Sequence, residues 1–392
     1  MSSYDYLIIG GGMTADAAVH GIRELDTSGT IGLISSDPDP PYSRPPLSKA
    51  LWKGDPETSV WKGTESLGVE LQLGRTATSI DPASHVVKDD QGEEHEYRSL
   101  LLATGGAPRA LPFPADGVIY YRTFRDYRAL RELSDHRERF VVLGGGFIGS
   151  EVTAALRMNG KQVTAVVPEQ GICARVFPAD LSRFVTDYYR EKGVDVRPDT
   201  LSSSVERSGD GFTVGLKGGE SLEADAVVAG LGIVPNVALA TSMAIAAEDG
   251  IDVDDRLRTS VDGVFAAGDV ARFENPALGI RLRVEHEDNA LTMGKAAGRS
   301  MAGDETPYTH LPFFYSDLFD LGYEAVGLLD SRLETFTDWA EPNRQGVIYY
   351  LDKGRVRGAL LWNVWGKVDD ARALIAEPGP HSRDSLRGRI TG

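Results

Sequence analysis

Tyr6-Leu7-Ile8-Ile9-Gly10-Gly11-Gly12-Met13-Thr14-Ala15 has a counterpart about 134 positions later, Phe140-Val141-Val142-Leu143-Gly144-Gly145-Gly146-Phe147-Ile148-Gly149. In each copy a short apolar strand runs into a glycine-rich turn, and a helical pattern follows. Ala17, Ala18, Ile22 and Leu25 carry that pattern after the first turn, Val152, Ala155 and Leu156 after the second. A second strand comes next in both: Thr30-Ile31-Gly32-Leu33-Ile34 before Ser35-Ser36-Asp37, and Val163-Thr164-Ala165-Val166-Val167 before Pro168-Glu169. Glycine lets the backbone approach a pyrophosphate, and the start of the helix presents N–H groups to its charge. The third glycine of the first copy is Ala15, which the pattern tolerates. One such match reads equally well as a tight turn in any α/β protein. Two copies in one chain point to two dinucleotides, as in a flavoprotein that binds FAD and a nicotinamide cofactor.

Three further strands end in glycine: Leu100-Leu101-Leu102-Ala103-Thr104-Gly105-Gly106, Val227-Val228-Ala229-Gly230-Leu231-Gly232 and Val264-Phe265-Ala266-Ala267-Gly268-Asp269. Each suits the carboxyl edge of a parallel sheet lining a ligand crevice. If the last returns to the first nucleotide unit, that domain is discontinuous. The expected division is an FAD-binding domain of residues 1–110 and 243–303, an NAD-binding domain of 111–242 and a smaller C-terminal α/β domain of 304–392. In the last, Gly346 to Leu351 and Val356 to Leu361 read as strands joined by a hairpin turn at Asp352-Lys353-Gly354-Arg355. The final dozen residues, with Arg383, Arg387 and Arg389, read as a polar, loosely held tail.

The bulk properties narrow the function. A chain of 392 residues exceeds what one core usually supports. The single cysteine, Cys173, excludes an internal disulfide and a disulfide reductase working through its own dithiol. A formal charge of −17 argues against nucleic acid as partner. Neither a secretory leader nor a membrane span is read in the sequence, so a cytoplasmic protein is expected. Histidine and cysteine spacing gives no metal site.

With both turns, the glycine junctions and Pro41-Tyr42-Ser43-Arg44-Pro45-Pro46-Leu47-Ser48-Lys49 in view, the chain resembles a family of FAD-dependent pyridine nucleotide oxidoreductases. That family includes putidaredoxin-reductase-type ferredoxin reductases, apoptosis-inducing factor and monodehydroascorbate reductase. The resemblance covers essentially the full length and implies a glutathione-reductase-like fold without the redox-active dithiol. Val167-Pro168-Glu169, Val284-Glu285-His286, and Phe314-Tyr315-Ser316-Asp317 with Gly322-Tyr323-Glu324 lean toward the last two members.

Carried over by position, the resemblance implies non-covalent FAD along Gly10, Gly12 and Ala15, with Met13, Thr14 and Ala77 among its neighbours. Arg44, Lys49 and Arg122 would also reach the FAD, Asp269 its ribityl chain, and Glu285, His286, Glu287 and Tyr315 the surroundings of its ring. Ser36 stands where some relatives carry the adenosine-ribose glutamate, leaving Asp37 or no residue for that role. For NADH, Gly144, Gly146, Ile148 and Gly149 would hold the pyrophosphate, with Phe147 at the flavin face. Glu169 would accept from the ribose hydroxyls and repel a 2′-phosphate, with Arg175 nearby to soften that exclusion. Gly232, Glu324 and Asn363 match lesser contacts. Lys49 and Glu151 would form an ion pair beside the flavin and carry the chemistry; alone, they read as a loop lysine and a first-turn helix carboxylate. Alone, Cys173 reads as an inert small side chain, His286 as structural and Tyr315 as core.

Two departures bear on the electron acceptor. Glu287 replaces the tryptophan of the Glu-x-Trp-x-Asn run common in ferredoxin reductases, and Asp317 replaces an arginine that monodehydroascorbate reductases use. The expected activity is electron transfer from NADH through FAD to an acceptor. A ferredoxin comes first, then a small quinone or organic radical, then a slow-turnover redox sensor, in a monomer or homodimer. Arg355 and Arg357, two apart on one strand face, are the expected basic patch for an acidic partner, or else a solvated hairpin face.

Overall fold

The computed structural model describes residues 2–391, which fall into two compact units. The first takes the described residues up to Arg44, Glu57–Ala107 and Val234–Pro312; the second takes Pro45–Pro56, Pro108–Ile233 and the described residues from Phe313.

The first unit is built on strand Ser2–Ile9, with Ile31–Ser35 and then Val69–Leu73 on one side and Glu94–Leu102 on the other, all parallel. Leu7, Ile8, Leu100, Leu101 and Leu102 are inaccessible, so these runs are apolar without alternation. Val264–Ala266 pairs in parallel with Leu100 to Leu102, so the third strand-to-glycine junction adds to this sheet. Helix Met13–Arg23 links the first two strands and packs against Glu287–Met301, where Lys295 and Arg299 both bond Glu24. Val86–Asp89 and Ala77–Asp81 extend the sheet antiparallel beyond Glu94–Leu102.

The second unit repeats the pattern. Asp195–Arg197, Gln162–Val166, Arg139–Leu143, Ala226–Ala229 and Ile119–Tyr120 form a parallel sheet in that order. An antiparallel layer of Ser202–Ser208, Gly211–Leu216 and Ser221–Ala224 precedes Ala226–Ala229, and Phe212, Val214 and Leu216 pack with Val141, Leu143 and Val227.

From Phe313 the same unit carries a five-stranded antiparallel sheet: Phe313–Leu318, Leu321–Gly327, Arg355–Trp362, Gln345–Asp352, Glu334–Glu341. Helix Val368–Ala376 lies against it. The hairpin falls where its sequence put it. Lys353 at φ 50° and Gly354 at φ 76° are both left-handed, as a two-residue turn between right-twisted strands requires. The tail is a correction. Leu386 and Ile390 are buried, Ser382 caps the short helix Arg383–Leu386, and the Gly388 N–H donates to Asp338. Two apolar residues spaced four apart dock the tail despite its polar composition.

Candidate functional site

In the first unit Gly10 takes φ 123°, and the Ala103 carbonyl occupies the place a Cβ would need. Gly12 is extended and stands at the N-terminus of Met13–Arg23 with no side chain capping the helix. Around the Cβ position of Gly12 only the Arg44 guanidinium comes near, at 3.8 Å. Thr14 and Ala15 are buried, and the Thr14 side chain lies against Gly268, next to Asp269. The Asp269 carbonyl accepts from Arg283 at 3.0 Å, and the same guanidinium holds Glu285 at 2.6 Å. His286 begins the helix that carries Glu287. Burial pulls its imidazole down to about 4 against the opposing charges of Asp269 and Asp288, so the ring is neutral near pH 7. After Ile31–Ser35, Ser36 is exposed while the Asp37 carboxylate accepts from the Tyr42 hydroxyl at 2.9 Å and the Asp39 N–H at 3.2 Å. Ala77 is buried in an outer strand.

The second unit's turn is tighter at its base and more open at its mouth. Gly144 takes φ 106° against the Gly230 carbonyl, and a Cβ on Gly149 would fall on the Gly144 carbonyl. Gly146 has nothing within 4 Å of its Cβ position and no side chain caps Phe147–Met158. Ile148 is exposed, and the Phe147 ring lies 5.0 Å from that of Phe314. Glu169 is bridged at 2.6 Å by Arg175, whose side chain is exposed. Gly232 is left-handed with open space beside it. Glu324 accepts from the Gly366 N–H. Asn363 spends both ends of its amide on Gly322 and Arg344 backbone, which makes it a turn-holding residue. Cys173 is buried beneath this turn with its N–H on the Gly145 carbonyl. Burial pushes its thiol up to about 12, the behaviour of an inert side chain.

Also in the second unit, Lys49 Nζ lies 2.7 Å from Glu151 Oε1, and both side chains are almost fully buried. Glu151 is the fifth residue of Phe147–Met158, past its first turn. The first-turn reading is therefore corrected: Glu151 is aligned with side chains rather than with the helix terminus. Ser48 donates to Oε2 and Ser316 to Oε1, each at 2.5 Å. The ammonium also sits 5.3 Å from the centre of the Tyr315 ring, which is part-exposed. Burial pushes Tyr121, Cys173, Tyr189 and Tyr323 upward, and the charge of Glu151 adds to the shift of each. Arg122 lies at the entry of Phe124–His136, its N–H on Asp126.

Ser48, Ser316 and Tyr42 were not singled out in the sequence. Ser48 adjoins Lys49, and Ser316 alternates inward between exposed Tyr315 and half-buried Asp317, which pairs with Lys53 at 2.8 Å. The Arg355 and Arg357 side chains prove half-buried, on a strand paired on both sides. Among the described residues, Asp89, Glu93 and His95 cluster with metal-ligand spacing, but the Arg75 guanidinium already bonds both carboxylates. Despite burial, Arg75 and nearby N–H groups hold Asp89 at about 2.

The two helix starts, each with an extended glycine and no side-chain cap, with open space at Gly146 and only a guanidinium near Gly12, fit dinucleotide pyrophosphates. Among the described residues no helix is long and apolar enough to cross a membrane. A family profile described as pyridine nucleotide-disulphide oxidoreductase matches residues 4–294, and one described as apoptosis-inducing factor, mitochondrion-associated, C-term, matches residues 297–345. The chain is 37% identical to apoptosis-inducing factor 1, mitochondrial, of Dictyostelium discoideum, over 96% of this chain and 79% of that protein. It is 34% identical to the 5,5'-dehydrodivanillate O-demethylase ferredoxin reductase subunit of Sphingobium sp. (strain NBRC 103272 / SYK-6), over 98% and 96%. A solved structure of the covalent putidaredoxin reductase–putidaredoxin complex superposes with a TM-score of 0.91 at 28% identity, covering 98% of this chain and 96% of that one.

Proposed function

The chain belongs to the pyridine nucleotide-disulphide oxidoreductase family as an NADH-dependent FAD oxidoreductase, and from that premise we propose that it delivers electrons to a ferredoxin. The observation that carries the reading is the buried ion pair between Lys49 and Glu151, the latter on the helix that opens at the second glycine turn. Bound FAD supplies the hydride acceptance and the onward electron transfer. The protein's residues supply placement and charge. Gly10, Gly12, Ala15, Arg44 and Asp269 hold the FAD; Gly144, Gly146 and Gly149 receive the NADH pyrophosphate, with Glu169 on its ribose. Lys49 offers a cation where negative charge grows, and Glu151 keeps that ammonium aimed in a water-poor setting. The functional division into residues 1–110 with 243–303, 111–242 and 304–392 belongs to the same proposal.

The likeness to a reductase solved in covalent complex with putidaredoxin, over nearly the full length of both chains, supports a ferredoxin as acceptor. On a chain of charge −17, docking of an acidic partner needs local basic residues, which half-buried Arg355 and Arg357 supply only in part. The test is NADH-dependent reduction of cytochrome c through an added ferredoxin, expected to fall as salt rises. Rapid ferricyanide or quinone turnover while every ferredoxin stays oxidised would move the assignment to a small acceptor. The C-terminal match to apoptosis-inducing factor favours a second reading, a redox sensor that NADH reduces once and that air reoxidises slowly. Fast turnover with any acceptor rejects it.

A further inference from the structure

We infer that Ser48 and Ser316 are positioning residues that act through Lys49, an inference that rests on the proposed role of Lys49 beside FAD. The carboxylate of Glu151 accepts from three side chains on two chain segments at once. Ser48 comes from the one-turn helix Pro45–Ser48, Lys49 from the residue after it, and Ser316 from strand Phe313–Leu318. Both serines are almost fully buried, and Glu151 is 4% exposed. A carboxylate that far from water needs its lone pairs filled. Lys49 alone would leave Oε2 without a partner, and the carboxylate would be free to rotate.

The division of donors sets a direction. Ser48 on Oε2 and Ser316 on Oε1 fix the plane of the carboxylate, so that Oε1 presents its remaining lone pair to the ammonium. The ammonium is then held between that oxygen and the face of Tyr315. The residues flanking Ser316 anchor it from outside, because Asp317 is tied to Lys53. Removing the hydroxyls leaves the ion pair in place but lets it reorient, and the cation loses its aim.

The test is a double-mutant cycle on the FAD-loaded protein, with Ser48→Ala and Ser316→Ala, singly and together, in the native and Lys49→Met backgrounds. In the native background the pair should slow flavin reduction by NADH about tenfold and make the flavin midpoint potential more negative, with Ser316→Thr restoring both. In the Lys49→Met background the same serine changes should move neither quantity. Equal losses in both backgrounds, or a shift only in the unfolding midpoint, would overturn the inference and make the serines plain buried-charge partners. An unchanged rate and potential in Lys49→Met itself would remove Lys49 from the chemistry and this inference with it. If the double alanine variant does not fold, the two single variants carry the same comparison.

Discussion

The two glycine turns have the same strand–turn–helix build but differ at every point that governs access. At the first, Ala103 and Ala15 stand where the second has Gly230 and Gly149, so the first turn accommodates two more methyl groups at its base. At its mouth the first has Arg44 beside Gly12, and its acidic residue Asp37 is tied to buried Tyr42. The second has open space at Gly146, and its acidic residue Glu169 is met by an exposed arginine. A turn with a cation beside its glycine and a carboxylate bonded to a buried tyrosine suits a ligand that stays, and an open one with an exposed partner suits a ligand that comes and goes. On the proposed assignment, one motif would serve a resident cofactor or an exchanging one according to its second layer of residues.

The largest expected effect comes from exchanging the third positions. Gly149→Ala drives a methyl into the Gly144 carbonyl and should cost about 3 kcal/mol of stability, with NADH binding weakened further. Ala15→Gly only loosens a helix and should cost about 1 kcal/mol. Urea unfolding of the two variants decides, and equal costs would erase the difference between the turns. Next comes the pair at the second mouth. Glu169→Gln removes the charge proposed to repel a 2′-phosphate and releases Arg175 to attract one, so the preference for NADH over NADPH should shrink about tenfold or more. Steady-state kcat/KM with both nucleotides measures it, and an unchanged ratio removes Glu169 from the ribose site. The smallest effect is at the first mouth, where Tyr42→Phe frees Asp37 and should weaken FAD retention by about 1 kcal/mol. Dialysis against increasing chaotrope reads that loss, and identical FAD retention would make Asp37 a bystander.

The α/β class, both turns and the hairpin at Lys353-Gly354 were legible because each is written in local sequence: apolar runs, glycine spacing and a turn dipeptide. Lys49 and Glu151, 102 positions apart, became a pair only through the resemblance, since no periodicity links a loop lysine to a helix carboxylate. What stayed hidden was the layer around them. Ser48 and Ser316 are ordinary residues whose meaning comes from facing one buried carboxylate, and Tyr42 reads as one aromatic among many. The tail was misjudged for the opposite reason: its charges dominate the composition, while Leu386 and Ile390 do the docking.

The central claim, that two copies of one turn take two different dinucleotides, is tested most directly at the two open glycines. Gly12 and Gly146 have φ −91° and −78°, which alanine adopts without strain; a Cβ on Gly146 enters open space and one on Gly12 meets only the Arg44 guanidinium at an ordinary contact distance of 3.8 Å, so both variants should fold. The added methyl stands only in the way of a pyrophosphate. FAD content and NADH affinity measured on the same purified preparations should then separate cleanly. Gly12→Ala is expected to lose FAD, and Gly146→Ala to keep its FAD and bind NADH at least about tenfold more weakly. A Gly146→Ala protein stripped of FAD, or a Gly12→Ala protein that retains FAD and fails only with NADH, would contradict the account.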